Sequence, residues 1–274
     1  MSDTKVLPEK ARIAIIGGGI IGTSVAYHLA KRGIKDVVLI ERKQLTSGTT
    51  WHAAGLISLA WATPTLTNLA KYSHELYASL EEETGQATGY KRIGSISLAR
   101  TEARLEEIKR TSSICKVFGV ESEMIDNTRL AELYPGINTE GVIGALYTPG
   151  DGQTNPIDTT MALAKGAKMN GVEIFENTVM EELLTKDNVI TGIRTDKGTI
   201  EVDQVILCGG MWTRDLAKTV GVQLPLYACE HSYIVTEEME GLTQRPVLRD
   251  FDRGLYFKED AGKMLVGWFE DNAI

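Results

Sequence analysis

Cysteine is scarce. The chain carries three, Cys115, Cys208 and Cys229, and none forms a C-x-x-C pair. An odd, scattered set argues against a disulfide framework or a zinc site and points to a reducing compartment. Basic residues are in the minority: 29 Lys and Arg face 37 Asp and Glu, a formal charge of −8. With a pI near 5.2 and no basic stripe, the composition argues against a general binder of nucleic-acid backbones, though it leaves room for a local anion site. No apolar run is long enough to span a bilayer. The opening residues, MSDTKVLPEKAR, have neither the apolar core of a secretion signal nor the Arg-rich, acid-poor character of a transit peptide. These absences read as a cytoplasmic protein, bacterial in character, with no membrane, nucleic-acid or metal partner.

What remains is ordinary globular material: 274 residues, 43% hydrophobic and 24% charged, enough for one large or two modest domains. Arg12 to Gly17 is a short β-branched run that reads as a buried parallel strand. The segment IIGTSVAYHLAKRG has helical periodicity with a stop at Gly33, and Asp36 to Glu41 reads as a second buried strand. Residues 42–64 are rich in Thr, Ser, Gly and Ala and predict a long loop beside this βαβ opening. Further on, Thr65 to Gly85 predicts an amphipathic helix, SISLA a strand, and TEARLEEIKRTSSICKVFG a helix opened by Thr101. GVIGALYTPGDG reads as a strand running into a turn. Asn155-Pro156 predicts a capped helix through Met169. Short strands with turns at residues 186–188 and 196–198 come next. Gln204 to Gly210 then reads as a strand ending on paired glycines, MWTRDLAKTVG as a helix, and the chain from Pro225 onward as mostly strand.

The pattern G-x-G-x-x-G is present as Gly17, Gly19 and Gly22. It follows a strand, opens a helix, and precedes Glu41 at the end of the next strand, a context that makes it a dinucleotide site. Gly17 permits the tight turn, Gly19 lets the backbone approach a diphosphate, and Gly22 lets helix and strand pack closely. The helix N-terminus offers free N–H groups and a positive dipole end. Glu41 suits a ribose diol and disfavours a 2′-phosphate, hence NADP. NAD and FAD both remain open on this motif. The later return VILCGG, which ends at Gly209 and Gly210, leans towards a flavoprotein.

Six segments carry a resemblance. IIGGGIIGTSVAYHLAKRG, LTSGTTWHAAGL, LEEETGQATGYKRIGSISLA, LYTPGDGQTNP, HSYIVTE and PVLRDFDRGLYFKED together resemble the dimethylglycine dehydrogenase and sarcosine dehydrogenase group, from about residue 10 to the end. That group contains FAD-dependent amine oxidoreductases of D-amino-acid-oxidase-like fold. The resemblance implies an α/β architecture: a Rossmann-like FAD-binding domain with a parallel sheet, and a discontinuous, mainly antiparallel substrate-binding sheet. It divides the chain into residues 10–90 and 140–222 for FAD, and 91–139 and 223–274 for substrate, the latter incomplete at its C-terminal end.

The same resemblance places His52 where the group's histidine is joined covalently to flavin. Thr49, Thr50, Ala53, Ala54 and Gly55 around it are small enough for a planar ring to lie near the backbone. It also places His231 and Tyr256 on the substrate side, His231 to share the ammonium proton and Tyr256 to hold the amine or carboxylate. The implied reaction is demethylation of a small N-methyl amine such as dimethylglycine or sarcosine, by hydride transfer to flavin N5. Alternatives are an oxidase of another secondary amino acid and a non-catalytic regulatory relative. An electron-transfer flavoprotein is an implied partner. Members of the group continue past VGWFEDNAI, many into a folate-binding region, so the chain is expected to be a piece of a longer enzyme. Tetrahydrofolate is implied only for that longer form.

Overall fold

The computed structural model describes residues 6–270 and 272–273. The chain opens with strand β1 (Lys10–Ile16), helix α1 (Ile20–Lys31) and strand β2 (Val37–Ile40). Residues 42–64 hold more order than their composition predicts: a 3-10 turn at Thr49–His52 and the short strand β3 (Leu56–Ile57). Helix α2 (Pro64–Thr84), strands β4 (Lys91–Arg92) and β5 (Ser95–Ala99), and helix α3 (Glu102–Val117) follow. Strand β6 (Glu123–Ile125) and helix α4 (Asn127–Leu133) come next, then β7 (Gly144–Thr148), β8 (Gly152–Gln153) and helix α5 (Pro156–Met169). After β9 (Glu173–Phe175), β10 (Met180–Lys186), β11 (Val189–Thr195) and β12 (Gly198–Leu207) comes helix α6 (Thr213–Lys218). The last strands are β13 (Ser232–Val235), β14 (Val247–Asp250), β15 (Leu255–Asp260) and β16 (Lys263–Trp268). No helix among the described residues is long and apolar enough to cross a membrane.

The chain divides into two compact units. The first takes the chain up to Ala53, Ser79–Thr88 and Asn155–Ala228; the second takes Ala54–Ala78, Gly89–Thr154 and Cys229 onward.

The first unit is built on a six-stranded sheet in the order β10-β11-β12-β1-β2-β9. Strands β12, β1, β2 and β9 run parallel, while β10, β11 and β12 form an antiparallel meander. All four residues of β2 are buried, as expected of a strand covered on both faces. Ile16, Val38, Ile40, Phe175, Ile193 and Ile200 meet in one apolar cluster. The hairpin between β10 and β11 turns on Asp187 and Asn188, both at positive φ, which matches the strand twist. Helix α5 starts where its sequence predicts: the Asn155 side chain accepts from the N–H groups of Ile157 and Asp158.

The second unit holds a seven-stranded sheet, β13-β16-β15-β14-β5-β7-β6, antiparallel except between β14 and β5. One face of it, with Ile96, Leu98 and Leu248, packs on Leu130 and Tyr134. A small sheet, β3-β8-β4, joins three two-residue strands. Residues 236–246 carry no strand, although the chain from Pro225 onward reads as mostly strand; this polar segment, TEEMEGLTQRP, has no apolar alternation to hold one. The α/β class and the pairing of a mainly parallel with a mainly antiparallel sheet agree with the expectation from sequence.

Candidate nucleotide turn and aromatic corner

In the first unit, β1 delivers Gly17 to the sheet end, where its N–H bonds Ile40 O at 2.9 Å. Gly17 has φ +114°, and a Cβ on it would lie 2.3 Å from Cys208 O. A Cβ on Gly22 would lie 1.9 Å from Gly17 O. No side chain fits at either position, so the spacing of these glycines is a steric requirement of the turn. Gly19 caps α1, whose first turn holds no acidic residue. The exposed N–H groups and dipole of that end suit an anion.

Glu41 lies at the end of β2 and is 9% exposed. Its two carboxylate oxygens accept from Gly18 N at 2.7 Å and Lys43 N at 2.9 Å. Each oxygen keeps a further lone pair, so the group is aimed by backbone and still able to accept hydroxyls. The Thr50 hydroxyl accepts from Ile20 N at 3.0 Å, which ties the 3-10 turn Thr49–His52 to the start of α1. Beside the turn, Gly209 and Gly210 leave the end of β12. Thr49 Oγ1 lies 3.7 Å from where a Cβ on Gly210 would stand, and Arg42 stacks on the Trp212 ring at 3.9 Å. The structure therefore gathers Gly17, Gly19, Gly22, Glu41, Thr49, Thr50 and Gly209 around one end of the parallel sheet. His52 closes the 3-10 turn with an exposed ring, 3.9 Å from the Trp51 ring centroid. The glycine cradle, the unblocked helix end and the oriented carboxylate fit a flavin adenine dinucleotide.

Ala54 and Gly55 belong to the second unit. There Ala54 O accepts from the Lys258 ammonium at 3.0 Å and Gly55 O from Thr154 N at 2.9 Å. His231, just before β13, and Tyr256, in β15, come together on a residue that no motif pointed to. Both rings contact Phe269, at centroid distances of 5.2 Å and 5.6 Å. Tyr256 lies across Gly267, where a Cβ would meet its Cζ at 2.0 Å. Burial pushes the Tyr256 phenol above its ordinary value, and Tyr233 adds to it, so it is a hydrogen-bond donor at neutral pH.

Asp151, read from sequence as part of a turn, is 1% exposed and a structural hub. It accepts from Leu59 N at 2.7 Å and from the Ser95 hydroxyl at 2.6 Å. Burial pushes its carboxyl up against the pull of Ser95, Leu59 and Arg249. Lys258, 3% exposed, is a second buried charge: besides Asp260 it donates to Thr154 O and Ala54 O, about 100 and 200 residues away in the chain, which no local pattern signals.

The family of FAD dependent oxidoreductases matches residues 12–273. Over 98% of its length the chain is 43% identical to 4-methylaminobutanoate oxidase (formaldehyde-forming) of Paenarthrobacter nicotinovorans, covering 33% of that protein. It is 42% identical to the mitochondrial pyruvate dehydrogenase phosphatase regulatory subunit of Mus musculus, over 97% of this chain and 31% of that one. It is 36% identical to mitochondrial sarcosine dehydrogenase of Homo sapiens, over 99% and 30%. The chain thus spans about a third of the length of these curated relatives. Among solved structures, L-proline dehydrogenase from P. horikoshii superposes with a TM-score of 0.90 at 29% identity, over 98% of this chain and 71% of that one. The resemblance drawn from the six segments holds, and the chain belongs to the FAD-dependent oxidoreductase family.

Proposed function

We propose that this chain is the flavin-bearing, amine-oxidising part of an enzyme that demethylates a small N-methyl amino acid, dimethylglycine or sarcosine. The observation that carries this reading is the meeting of His231 and Tyr256 on Phe269, which puts an imidazole beside a protonated phenol. Gly17, Gly19, Gly22 and the start of α1 would hold the diphosphate of FAD, and Glu41 the ribose. Within the first unit, Thr49, Thr50 and Gly209 would lie towards the flavin. The exposed His52 would be joined to the flavin through an imidazole nitrogen.

FAD, when bound, supplies a two-electron acceptor for the hydride of the N–CH₃ group. The chain's own residues prepare the amine. His231 takes the ammonium proton, which frees the nitrogen lone pair that drives hydride departure. Tyr256 donates a hydrogen bond and orients the substrate. Electron-transfer flavoprotein and tetrahydrofolate are onward acceptors for the longer protein. The regulatory-subunit relative supports a second reading, in which the fold is kept without turnover.

Acid precipitation of the flavin-loaded protein tests the tether: yellow colour stays in the pellet if His52 is bonded and moves to the supernatant if it is not. A panel of N-methyl amines with an artificial electron acceptor tests the reaction. No turnover of any of them overturns the enzymatic reading and leaves the regulatory one.

A further inference from the structure

Strand β15 carries a lysine that is almost wholly buried. An ammonium out of water is costly unless its three donors are met. Each donor of Lys258 reaches a different segment of the second unit: Ala54 O at 3.0 Å, Thr154 O at 3.4 Å and the Asp260 carboxylate at 3.2 Å. Packing alone does not call for a lysine, since an apolar side chain of similar length fills the same space without the desolvation cost.

The two carbonyls say what the charge does. Ala54 precedes β3 and Thr154 follows β8, and those strands pair through only two residues each, Leu56 with Gln153 and Ile57 with Gly152. So short a ladder has little stability of its own. Gly55 O accepts from Thr154 N at 2.9 Å, and the ammonium bridges the adjoining carbonyls of Ala54 and Thr154. Gln153 Nε2, donating to Glu259 O at 3.0 Å, fastens the same end of β8 to β15 a second time. Ala54 is two residues from His52, a stretch that spans at most about 7 Å. The intervening Ala53 is extended, and its N–H bonds Thr50 O at 3.1 Å. Holding Ala54 O therefore narrows the positions open to His52.

We propose that Lys258 is a positioning residue: by clamping Ala54 O and Thr154 O it restrains the chain that leaves His52, and this restraint makes the joining of flavin at His52 efficient. The assignment rests on the tether reading above. Joining replaces one flavin C–H and one imidazole N–H by a C–N bond, and the two protons and two electrons released pass to the flavin ring and on to dioxygen. Lys258 takes no part in that exchange; it sets how often the imidazole is in reach.

The test uses the full chain loaded with flavin. Lys258→Met keeps the length of the side chain and loses all three donors. Its total bound flavin should stay within about twofold of wild type, while the share left in the pellet after acid falls about tenfold. Amide hydrogen exchange over residues 53–59 should rise roughly 10- to 100-fold, the range of a lost charge-assisted hydrogen bond, with β5, β7 and β14 unchanged. Lys258→Gln, uncharged and shorter, should fall between the two and carries the test if the methionine variant does not fold. Bound and acid-stable flavin lost in equal measure, an acid-stable share that does not fall, or exchange that rises throughout the unit overturns the proposal. A wild type with no acid-stable flavin sinks the tether reading and its consequence for attachment; the clamp itself then stands on a local rise in exchange and falls without one.

Discussion

The glycine turn of the first unit and the aromatic corner of the second are held by different kinds of atoms. Around Gly17–Gly22 the neighbours are backbone: Cys208 O against Gly17 and Gly17 O against Gly22. Backbone N–H groups of Gly18, Lys43 and Ile20 close on Glu41 and Thr50. Around Phe269 the neighbours are side chains, and Phe269 and His231 are themselves exposed. A turn built from backbone has one solution and tolerates no added atom. A corner built from rings can repack, so its chemistry is easier to retune than its partner's.

The largest effect should come from breaking the turn. Gly22→Ala places a methyl on a carbonyl oxygen that cannot retreat without moving β1. A loss of about 3 kcal/mol or more, with loss of bound flavin, is expected by thermal melting and by flavin absorbance of the purified protein. Native-like flavin content in that variant would remove the distinction drawn here. Gly267→Ala is the matching change in the corner: its methyl meets the end of the Tyr256 ring rather than backbone. The ring should swing aside, so that the protein folds and keeps its flavin while kcat/KM for dimethylglycine falls about tenfold, and further mutation to Tyr256→Phe adds little. Strictly additive losses would show that the glycine acts elsewhere.

The smallest effect concerns one buried side chain of the second unit. His74 is 2% exposed, lies 2.6 Å from Tyr90 Oη through Nδ1, and its Nε2 has no hydrogen-bond partner among the described residues. Burial, with a contribution from Arg92, lowers its pKa from 6.5 to about 4. The unfolded chain then binds a proton that the folded one refuses. The resulting stability is full above about pH 6.5 and is lost as pH falls towards 4, on the order of 1–2 kcal/mol after allowance for solvent screening. His74→Phe should flatten the melting temperature across that window; an unchanged slope would place the proton uptake on another group.

Much of the first unit is legible in sequence because its signals are local. A buried parallel strand, three glycines and a helix stand within 22 residues. Asn155 caps α5 through its own side chain. Helix α4 also carries a local cue, since Asp126 accepts from Arg129 N at 2.8 Å, but seven residues are too few for apolar periodicity to register. The second unit is less legible. Its three-stranded sheet consists of two-residue pieces from residues 56–57, 91–92 and 152–153, and a two-residue strand has no period. The turn at Asp151, whose carboxylate orders neighbouring segments, is legible; the buried Lys258 is not, because its carbonyl partners are distant in the chain.

The sequence alone determined the nucleotide turn at Gly17–Gly22, because a backbone requirement for glycine leaves a fixed spacing in the chain; the FAD-dependent group and the role of the loop histidine at position 52 came from the resemblance of whole segments. Which side chains stand beside Tyr256 was decided only by tertiary structure. Strand register across β5, β14, β15 and β16 brings Ser97, Arg249, Tyr256 and Gly267 into one row, and register depends on how distant strands pair, which no local pattern of residues states.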